Sequence, residues 1–342
     1  MSTGSASPLR NPLGTASPAT PGTPNSGRPF CTLTDFGLKL VAHALQEGPD
    51  NNVCLSPFGV AVALGMAIVG SSDSTTAQVV HAVGAIDSNN LYRTCERILS
   101  MLNGAMPKTK VSLGNRLFVS DDIPLLPEFK ETLAETFSVD LGRMNFKENP
   151  QAAAQEINAW AAKAQVDMME SCRGALYCRS TRIPCEAIEL SYVCRTLSLL
   201  IILPDKGVPL SKLVAALSND VVRRLMKDLK PVQSMAVWLP RFRLQNSYSM
   251  VPALKAIGIT HLFDDHVVDL SRMTGKSTGL AVDNFVHEAL FETSEEGVGE
   301  ATRPPEPLDA SVITFRANRP FLYVLLHHYN HAVVFMGAVC RP

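Results

Sequence analysis

Residues 319–339 read RPFLYVLLHHYNHAVVFMGAV, two apolar runs separated by a short polar segment rich in histidine. The runs Phe321–Leu326 and Ala332–Val339 have the length and composition of buried strands. They predict an antiparallel hairpin inside a sheet, joined by the segment His327–His331. The histidines of that segment could chelate a metal ion, but a solvated polar turn is the interpretation that we favour.

The rest of the chain places helices before strands. Phe129, Leu133 and Phe137 recur every four residues, which is typical of a helix buried on one face. In the second half, Leu197–Leu203 is a continuous apolar run, as expected for a strand covered on both sides. Met235–Leu244 indicates a strand with an edge or a bulge at its single proline. Helices first and strands later predict the α+β class rather than a parallel βαβ array.

Two helix starts carry capping signals. The longest apolar run, Val53–Val69, is interrupted by Ser56, a capping residue, and by a proline suited to the first helical turn. It therefore predicts a buried helix rather than a membrane span, which needs about 20 predominantly apolar residues. Farther on, Thr75 with Gln78 has the spacing of a capping box and predicts a helix that begins there.

Composition and charge exclude several classes of protein. Lys and Arg number 31 against 32 for Asp and Glu, and this balance gives no support to a nucleic-acid partner or a membrane surface. Ser, Thr, Pro and Gly make up 19 of the first thirty residues, too polar a composition to offset the entropy of ordering. We expect a disordered tail over residues 1–30 and one domain over residues 31–342. The tail lacks the apolar run of a secretory signal, which favours an intracellular setting.

The eight cysteines are too sparse for a disulfide scaffold, and none forms a C-x-x-C pair. Four of them, Cys172, Cys178, Cys185 and Cys194, lie close together in the sequence. Their spacings match no common zinc module, so free thiols are favoured over a metal site. Neither a G-x-S-x-G elbow nor a Cys-His signature is present, so we expect no enzyme activity and no cofactor.

Ten short motifs occur in an order that resembles the serpin family, from about Leu33 to Arg341. They are Leu55-Ser56-Pro57, Asn115-Arg116-Leu117-Phe118, Ile157-Asn158-Ala159-Trp160, Glu189-Leu190-Ser191-Tyr192, Leu203-Pro204-Asp205-Lys206-Gly207, Leu239-Pro240-Arg241-Phe242, His287-Glu288-Ala289, Glu295-Glu296-Gly297, Arg319-Pro320-Phe321 and Phe335-Met336-Gly337. Each motif is weak alone, whereas ten in the family order make the resemblance specific.

The resemblance implies a serpin fold of three β-sheets and about eight or nine helices, with an exposed reactive-centre loop between Glu295 and Arg319. It also implies a monomeric endopeptidase inhibitor whose partner is a serine or cysteine protease. In such inhibitors the protease attacks the loop as a suicide substrate, and the loop then inserts as a new strand into the main sheet. Because many serpins are secreted, the extracellular space is the alternative location.

The reactive bond has two alternative positions. Counting back from the motif after the loop places it between Asp309 and Ala310, which we favour. Counting forward from Gly297 places it between Ser311 and Val312. An aspartate at the cleaved position suits a protease with a cationic specificity pocket. By resemblance to some viral serpins, that partner would be a caspase or granzyme B, and otherwise a serine protease.

The start of the loop departs from the family pattern. Its hinge comprises Glu295, Glu296, Gly297, Val298 and Gly299. Pro304, Pro305 and Pro307 follow, and proline cannot donate to the hydrogen-bond ladder of a central strand. Such a loop opposes insertion, so a non-inhibitory serpin acting as a binding module or a plain protease substrate is the alternative function.

A second departure follows the helix Ile157–Ala164. Before the next motif the family has several tens more residues, including a central strand of the main sheet. The interval Gln165–Ile188 has no counterpart of that strand, so we expect a fold that lacks it and exposes the edges beside it. In the family's shutter region, Ser56 and His287 match structural rather than catalytic positions, and Gly59 stands where a second serine is expected.

Overall fold

The computed structural model describes residues 32–104, 114–137, 139, 141–163, 172–192, 196–232, 235–240, 242–275, 279–292, 313–327 and 331–342. These residues form ten α-helices, one 3-10 helix at His261–Phe263 and thirteen β-strands, which confirms the α+β class. The helices are α1 Thr32–Glu47, α2 Pro57–Val69, α3 Asp73–Val83, α4 Ser88–Gly104, α5 Pro127–Phe137, α6 Pro150–Lys163, α7 Leu210–Ala216, α8 Asn219–Asp228, α9 Val251–Ala256 and α10 Ser271–Thr274. The strands are β1 Val53–Leu55, β2 Leu117–Ser120, β3 Leu141–Met144, β4 Cys172–Arg179, β5 Cys185–Tyr192, β6 Leu197–Pro204, β7 Lys230–Pro231, β8 Met235–Trp238, β9 Arg243–Ser249, β10 Val286–Glu292, β11 Ile313–Arg316, β12 Phe321–His327 and β13 Val333–Val339.

The largest sheet contains seven strands in the order β1-β13-β12-β6-β5-β4-β7, and all neighbouring strands in it are antiparallel. Every residue of β6, β12 and β13 is buried, which confirms the doubly covered strand expected at Leu197–Leu203. Helices α1 and α2 contact β13, and α7 contacts β12. The central strands are therefore apolar at consecutive positions, because alternation is required only where one face meets water.

The hairpin expected near the C-terminus is confirmed, since β12 pairs antiparallel with β13. The solvated turn is wrong at His327, which is the last residue of β12 and is only 2% exposed. Its N–H donates to the carbonyl of Ala332 over 2.9 Å, and on the other side it pairs with Leu197 of β6. Pairing on both sides therefore extends the strand one residue beyond the apolar run. His328 lies outside the described residues.

Three two-stranded sheets complete the described part of the chain. β9 pairs antiparallel with β10, while β2 with β3 and β8 with β11 are parallel pairs. The single strand expected at Met235–Leu244 is wrong, because the chain leaves one sheet at Trp238 and enters another at Arg243. Pro240, which has no N–H to donate, lies in this connection. Within the described ranges, no strand pairs with the second edge of β2 or of β10.

The apolar run Val53–Val69 forms β1 and α2, and the predicted helix start at Ser56 is confirmed. Ser56 is the N-cap, its Oγ accepts the N–H of Gly59 over 3.0 Å, and Pro57 occupies the first helical turn. Ten of the thirteen residues of α2 are buried, so the helix belongs to the core. Among the described residues, no helix is long and apolar enough to cross a membrane.

The capping box expected at Thr75 and Gln78 is wrong. Helix α3 begins two residues earlier, with Ser72 as an N-cap that makes no side-chain hydrogen bond. Thr75 is buried inside the helix, and the side-chain oxygen of Gln78 instead accepts the backbone N–H groups of Thr260 and His261, each over 2.9 Å. Gln78 therefore makes a tertiary contact with the 3-10 turn instead of capping the start of the helix.

The β9–β10 pair is attached to the large sheet through aromatic side chains. The ring of Phe291 on β10 stacks on that of Tyr323 on β12, with 4.9 Å between centroids and 12° between planes. The hydroxyl of Tyr323 donates to the carbonyl of Val53 over 3.3 Å. Gly337 on β13 allows this close approach, because a Cβ there would overlap the Val53 carbonyl and lie 2.5 Å from the Tyr323 hydroxyl.

Candidate functional site

Ser56 and His287 meet at a junction of β10, the start of α2 and β13. The N–H of Ser56 donates to Nε2 of His287 over 2.9 Å. The hydroxyl of Ser56 donates to the carbonyl of Val334 over 2.7 Å and accepts the N–H of Gly59 over 3.0 Å. Ser56 is 1% exposed. One buried serine therefore ties the strand before the reactive-centre loop both to a helix and to the large sheet.

His287 serves this junction as a neutral hydrogen-bond acceptor. Burial of its imidazole lowers the pKa from 6.5 to about 4, because the charged form loses solvation. Since Nε2 accepts a backbone N–H, the neutral ring carries its proton on Nδ1. At neutral pH the ring is uncharged and its Nε2 lone pair is occupied, which fits a structural role and not that of a general base.

Gly59 packs closely against these two residues. A Cβ at Gly59 would lie 3.1 Å from Oγ of Ser56 and 3.7 Å from Cε1 of His287. A serine at this position would bring a second hydroxyl within reach of both. With glycine at position 59, this residue adds no hydroxyl to the contact between Ser56 and His287.

Strand β10 ends at Glu292, three residues before Glu295, where the expected reactive-centre loop begins. It pairs with β9 in a continuous register from Val286 opposite Ser249 to Glu292 opposite Arg243. Arg243 Nε and Glu292 Oε2 lie 3.8 Å apart at the end from which the loop departs. The hinge residues and both alternative reactive bonds lie outside the described residues: Glu295, Glu296, Gly297, Val298, Gly299, Asp309, Ala310, Ser311 and Val312.

Strand β11 receives the chain after the loop. It runs parallel to β8, and the N–H of Ala317 donates to the carbonyl of Trp238 over 2.9 Å. The guanidinium carbon of Arg316 lies 5.0 Å from the centroid of the Trp238 ring, a cation–π arrangement. The C-terminal end of the loop is thus held by backbone pairing and by one stacked side chain.

Arg319 joins this end of the loop to the large sheet. Its Nε donates to the carbonyl of Pro204 over 2.6 Å, and its two Nη atoms donate to Oε1 of Glu186 at 3.1 Å and to the carbonyl of Arg316 at 3.4 Å. The other carboxylate oxygen of Glu186 accepts the hydroxyl of Tyr177 over 3.2 Å. Both side chains of the Arg319–Glu186 ion pair are mostly buried. The described chain on either side of the expected loop is therefore held by backbone pairing and by the Arg319–Glu186 ion pair.

Sequence reasoning identified the Arg319 motif but missed its partner Glu186. The available signal was the pair Glu186 and Glu189 inside a mostly apolar strand, since a buried carboxylate requires a cation or several donors. It also missed the stacking of Arg316 on Trp238. No local pattern predicts that contact, because the two residues are 78 positions apart and meet only through sheet pairing.

Two of the four clustered cysteines come together on adjoining strands. Cys178 and Cys185 are buried free thiols, and burial raises their pKa values to about 11 and about 12. Such thiols stay protonated at neutral pH and are poor nucleophiles. Cys194 lies outside the described residues. In the part of the chain that the structure describes, no group of three or more potential ligands could hold a metal ion.

A protein-family model described as Serpin (serine protease inhibitor) matches the chain over residues 32–164 and 162–342. The two matched segments account for nearly all of the chain after the N-terminal tail. They overlap at residues 162–164, just before the interval Gln165–Ile188 in which we expect a strand of the family to be missing.

Known serpins and an elastase inhibitor align along most of the chain. Human Serpin B9 is 25% identical over 367 residues, covering 90% of this chain and 97% of that protein. Serpin A3-1 of Bos taurus is 26% identical over 367 residues, covering 90% of this chain and 88% of that protein. The leukocyte elastase inhibitor of Xenopus tropicalis is 24% identical over 373 residues, covering 90% and 98%. Because each alignment is longer than this 342-residue chain, the relatives contain residues that have no counterpart here.

Solved structures share the fold at lower identity. Uncleaved ovalbumin superposes with a TM-score of 0.81 at 22% identity, covering 92% of this chain and 100% of that one. Native protease nexin-1, solved with heparin, superposes with a TM-score of 0.80 at 23% identity, covering 92% of this chain and 99% of that one. Human thyroxine-binding globulin complexed with thyroxine gives 0.79 at 20% identity, covering 92% and 98%. These likenesses concern the fold alone.

Proposed function

The chain belongs to the serpin family, and we propose that it inhibits an endopeptidase that cleaves its reactive-centre loop after Asp309. The nucleophile of the protease attacks the carbonyl carbon of Asp309 and forms an acyl-enzyme. The bond to Ala310 breaks, and the new α-amino group of Ala310 takes the proton from the protease's general acid. Inhibition follows if the loop is inserted beside β10 before water hydrolyses the acyl bond.

The position of β10 carries this proposal. The loop begins where β10 ends, and no strand in the described ranges pairs with the second edge of β10. A segment that folds back from Glu292 would lie antiparallel to β10 and could supply hydrogen bonds to that edge. The other edge is paired along its whole length with β9, so insertion would not have to separate these two strands.

Asp309 supports an Asp-specific partner. A carboxylate is recognised most strongly by a guanidinium in a fixed, bidentate geometry, so the specificity pocket of the protease would contain an arginine. Caspases and granzyme B have this specificity. If the reactive bond lies after Ser311 instead, the partner would be a serine protease with a small pocket, such as an elastase.

A second candidate function is a non-inhibitory serpin that binds a partner or is merely cleaved. Pro304, Pro305 and Pro307 favour it, because each removes one N–H from the strand that insertion would create. The expected lack of a central strand of the main sheet from the interval Gln165–Ile188 favours it too, because the loop would insert beside that strand. A loop cleaved without insertion would release the protease intact.

Incubation with granzyme B, caspase-1 and leukocyte elastase separates the two candidates. An inhibitor gives a covalent complex that survives SDS, and its cleaved form melts at a higher temperature than the intact form. Cleavage without a complex and without a rise in melting temperature would support the second candidate and refute the first. Asp309→Ala should abolish reaction with the Asp-specific proteases, whereas the matched variant Ser311→Ala should leave it unchanged. The reverse result would move the reactive bond to Ser311.

A further inference from the structure

Large apolar side chains with strong exposure are few in the described part of the chain. They are Ile86, Phe146, Trp238, Val267, Val286 and Ile313. Two of the six belong to the small β8–β11 sheet, where Trp238 is 41% exposed and Ile313 is 38% exposed. Strand alternation directs these two side chains to opposite faces of the pair. Trp238 shares its face with Arg316, which lies opposite it in the register.

Trp238 and Arg316 form a composite surface, which we call the Trp238–Arg316 pair. The guanidinium stacks on the ring at 5.0 Å. Among the described residues, Arg316 enters no ion pair with a carboxylate. An exposed tryptophan covered on one side by an arginine presents apolar area together with a cation. Tryptophan and arginine are also two of the residues most enriched in the energetic centres of protein interfaces.

We infer that the Trp238–Arg316 pair is a second contact site for the protease that cleaves the reactive-centre loop. This inference rests on the proposed function, since the body of the enzyme would touch the pair while its cleft holds the loop. The matching surface on the enzyme would combine an acidic side chain with an apolar patch, beside the part of the cleft that binds residues after the cleaved bond. The carboxylate would pair with Arg316, and the apolar patch would cover Trp238.

The length of the intervening chain places the pair within reach of such an enzyme. Ala310 and Arg316 are six residues apart, so they are separated by at most about 22 Å of extended chain. With the alternative bond, Val312 and Arg316 are at most about 14 Å apart. A standard interface covers about 800 Å² on each partner and is roughly 32 Å across. The edge of such a contact area lies about 16 Å from its centre. The alternative bond therefore places the pair inside the area, and the favoured bond does so when the chain between Ala310 and Arg316 is shorter than its full extension.

The pair is also held in place before any partner arrives. The carbonyl of Trp238 accepts the N–H of Ala317 over 2.9 Å, and the carbonyl of Arg316 accepts a bond from Arg319 over 3.4 Å. Arg319 in turn is fixed by Glu186 and Pro204 of the large sheet. Binding to a surface already fixed in this way loses little conformational entropy, which favours a fast and specific encounter.

The test compares the second-order rate constant of loop cleavage in the full-length protein, written below as kcat/KM and measured from the first encounter with granzyme B, caspase-1 and leukocyte elastase. Trp238→Ala should lower kcat/KM about tenfold, Trp238→Phe should restore most of it, and Arg316→Gln should lower it and flatten its dependence on salt. Ile86→Ala is the matched control, an exposed apolar residue in the α3–α4 connection, and should have no effect. A peptide of residues 303–312, which lacks the pair, should be cleaved as slowly as Trp238→Ala or more slowly. Thermal unfolding establishes that each variant is folded.

The outcomes separate the inference from the proposed function. Equal kcat/KM for the wild type, Trp238→Ala and Arg316→Gln would overturn the inference and leave the proposed function intact. A comparable loss in Ile86→Ala would also overturn it, because the effect would then not be local. Absence of cleavage by all three proteases would overturn both. Should Trp238→Ala fail to fold, Trp238→Phe and Arg316→Gln decide by the same criteria.

Discussion

The backbone N–H of Ser56 donates a hydrogen bond of 2.9 Å to Nε2 of His287, across 231 residues of sequence. This bond links the capped start of a core helix to the strand that leads into the reactive-centre loop. Because the bond requires a neutral acceptor, the protonation state of one histidine bears on how firmly that strand is held. The same junction depends on the Ser56 hydroxyl, which reaches β13.

Stability should fall below neutral pH through His287. Its pKa is about 4 in the folded protein and 6.5 in an unfolded chain, so the unfolded state takes up the proton first. The stabilisation is complete above pH 6.5 and is lost progressively as the pH falls towards 4. The cost is about 2 kcal/mol between pH 7 and pH 5. Urea unfolding of the wild type and of His287→Gln over this range measures it as the difference between the two slopes.

Glutamine is the suitable replacement because its side-chain oxygen can accept the Ser56 N–H without titrating. The variant should therefore lose less stability than the wild type on acidification, whatever its free energy of unfolding at pH 7. Parallel curves for the two proteins would show that His287 does not have the lowered pKa that its burial implies.

Ser56→Ala should destabilise the fold more than an ordinary cap replacement. It removes the acceptor for the Gly59 N–H and leaves the buried Val334 carbonyl without the donor at 2.7 Å. We expect a loss of about 2–3 kcal/mol in the free energy of unfolding. Ser218→Ala is the matched control, since Ser218 caps α8 through a single bond to Val221, and should cost about 1 kcal/mol. Equal losses would mean that the bond to Val334 contributes nothing.

Arg319→Ala should cost about 3 kcal/mol, because it leaves the largely buried carboxylate of Glu186 without its cation and removes the bond to Pro204. A double-mutant cycle with Glu186→Gln should give a coupling of at least about 1 kcal/mol. The exposed pair of Arg272 and Asp73 provides the comparison, and Asp73→Asn should change the unfolding free energy by less than about 1 kcal/mol. Additive effects of the two core substitutions would refute the coupling.

Gly337→Ala should be among the most disruptive single-methyl changes in this protein. The added Cβ would collide with the Val53 carbonyl and the Tyr323 hydroxyl, both part of the packed core. We expect a loss of about 3 kcal/mol or failure to accumulate folded protein. Gly207→Ala is the control for the loss of a glycine without a steric clash. Gly207 has φ +83° and open space around it, so backbone strain alone should cost about 1–2 kcal/mol. Thermal unfolding of both variants ranks them.

Elements set by local pattern could be predicted from the sequence. The run Leu197–Leu203 became a buried strand, and Phe129, Leu133 and Phe137 became the buried face of α5, because periodicity and apolar content decide such elements. The Ser56 cap was predictable for the same reason, since a cap is made within three residues of chain.

Features decided by tertiary contact could not be predicted. Gln78 had the right spacing for a capping box, but the backbone of the 3-10 turn offered it two donors. His327 looked like a turn residue until pairing with β6 extended its strand. Ser56 and His287 were identified through the family resemblance. Their mutual hydrogen bond could not be predicted, because it depends on how distant segments pair in the fold.

The seven-stranded sheet holds the fully buried strands of the described chain, and its strands contain none of the loop residues between Glu295 and Arg319. Stability thus comes mainly from one part of the molecule, and the residues that we propose to meet a protease lie in another. Substitutions in the large sheet should consequently lower the free energy of unfolding, whereas exposed substitutions beside the loop should change recognition by a protease and leave that free energy nearly unchanged.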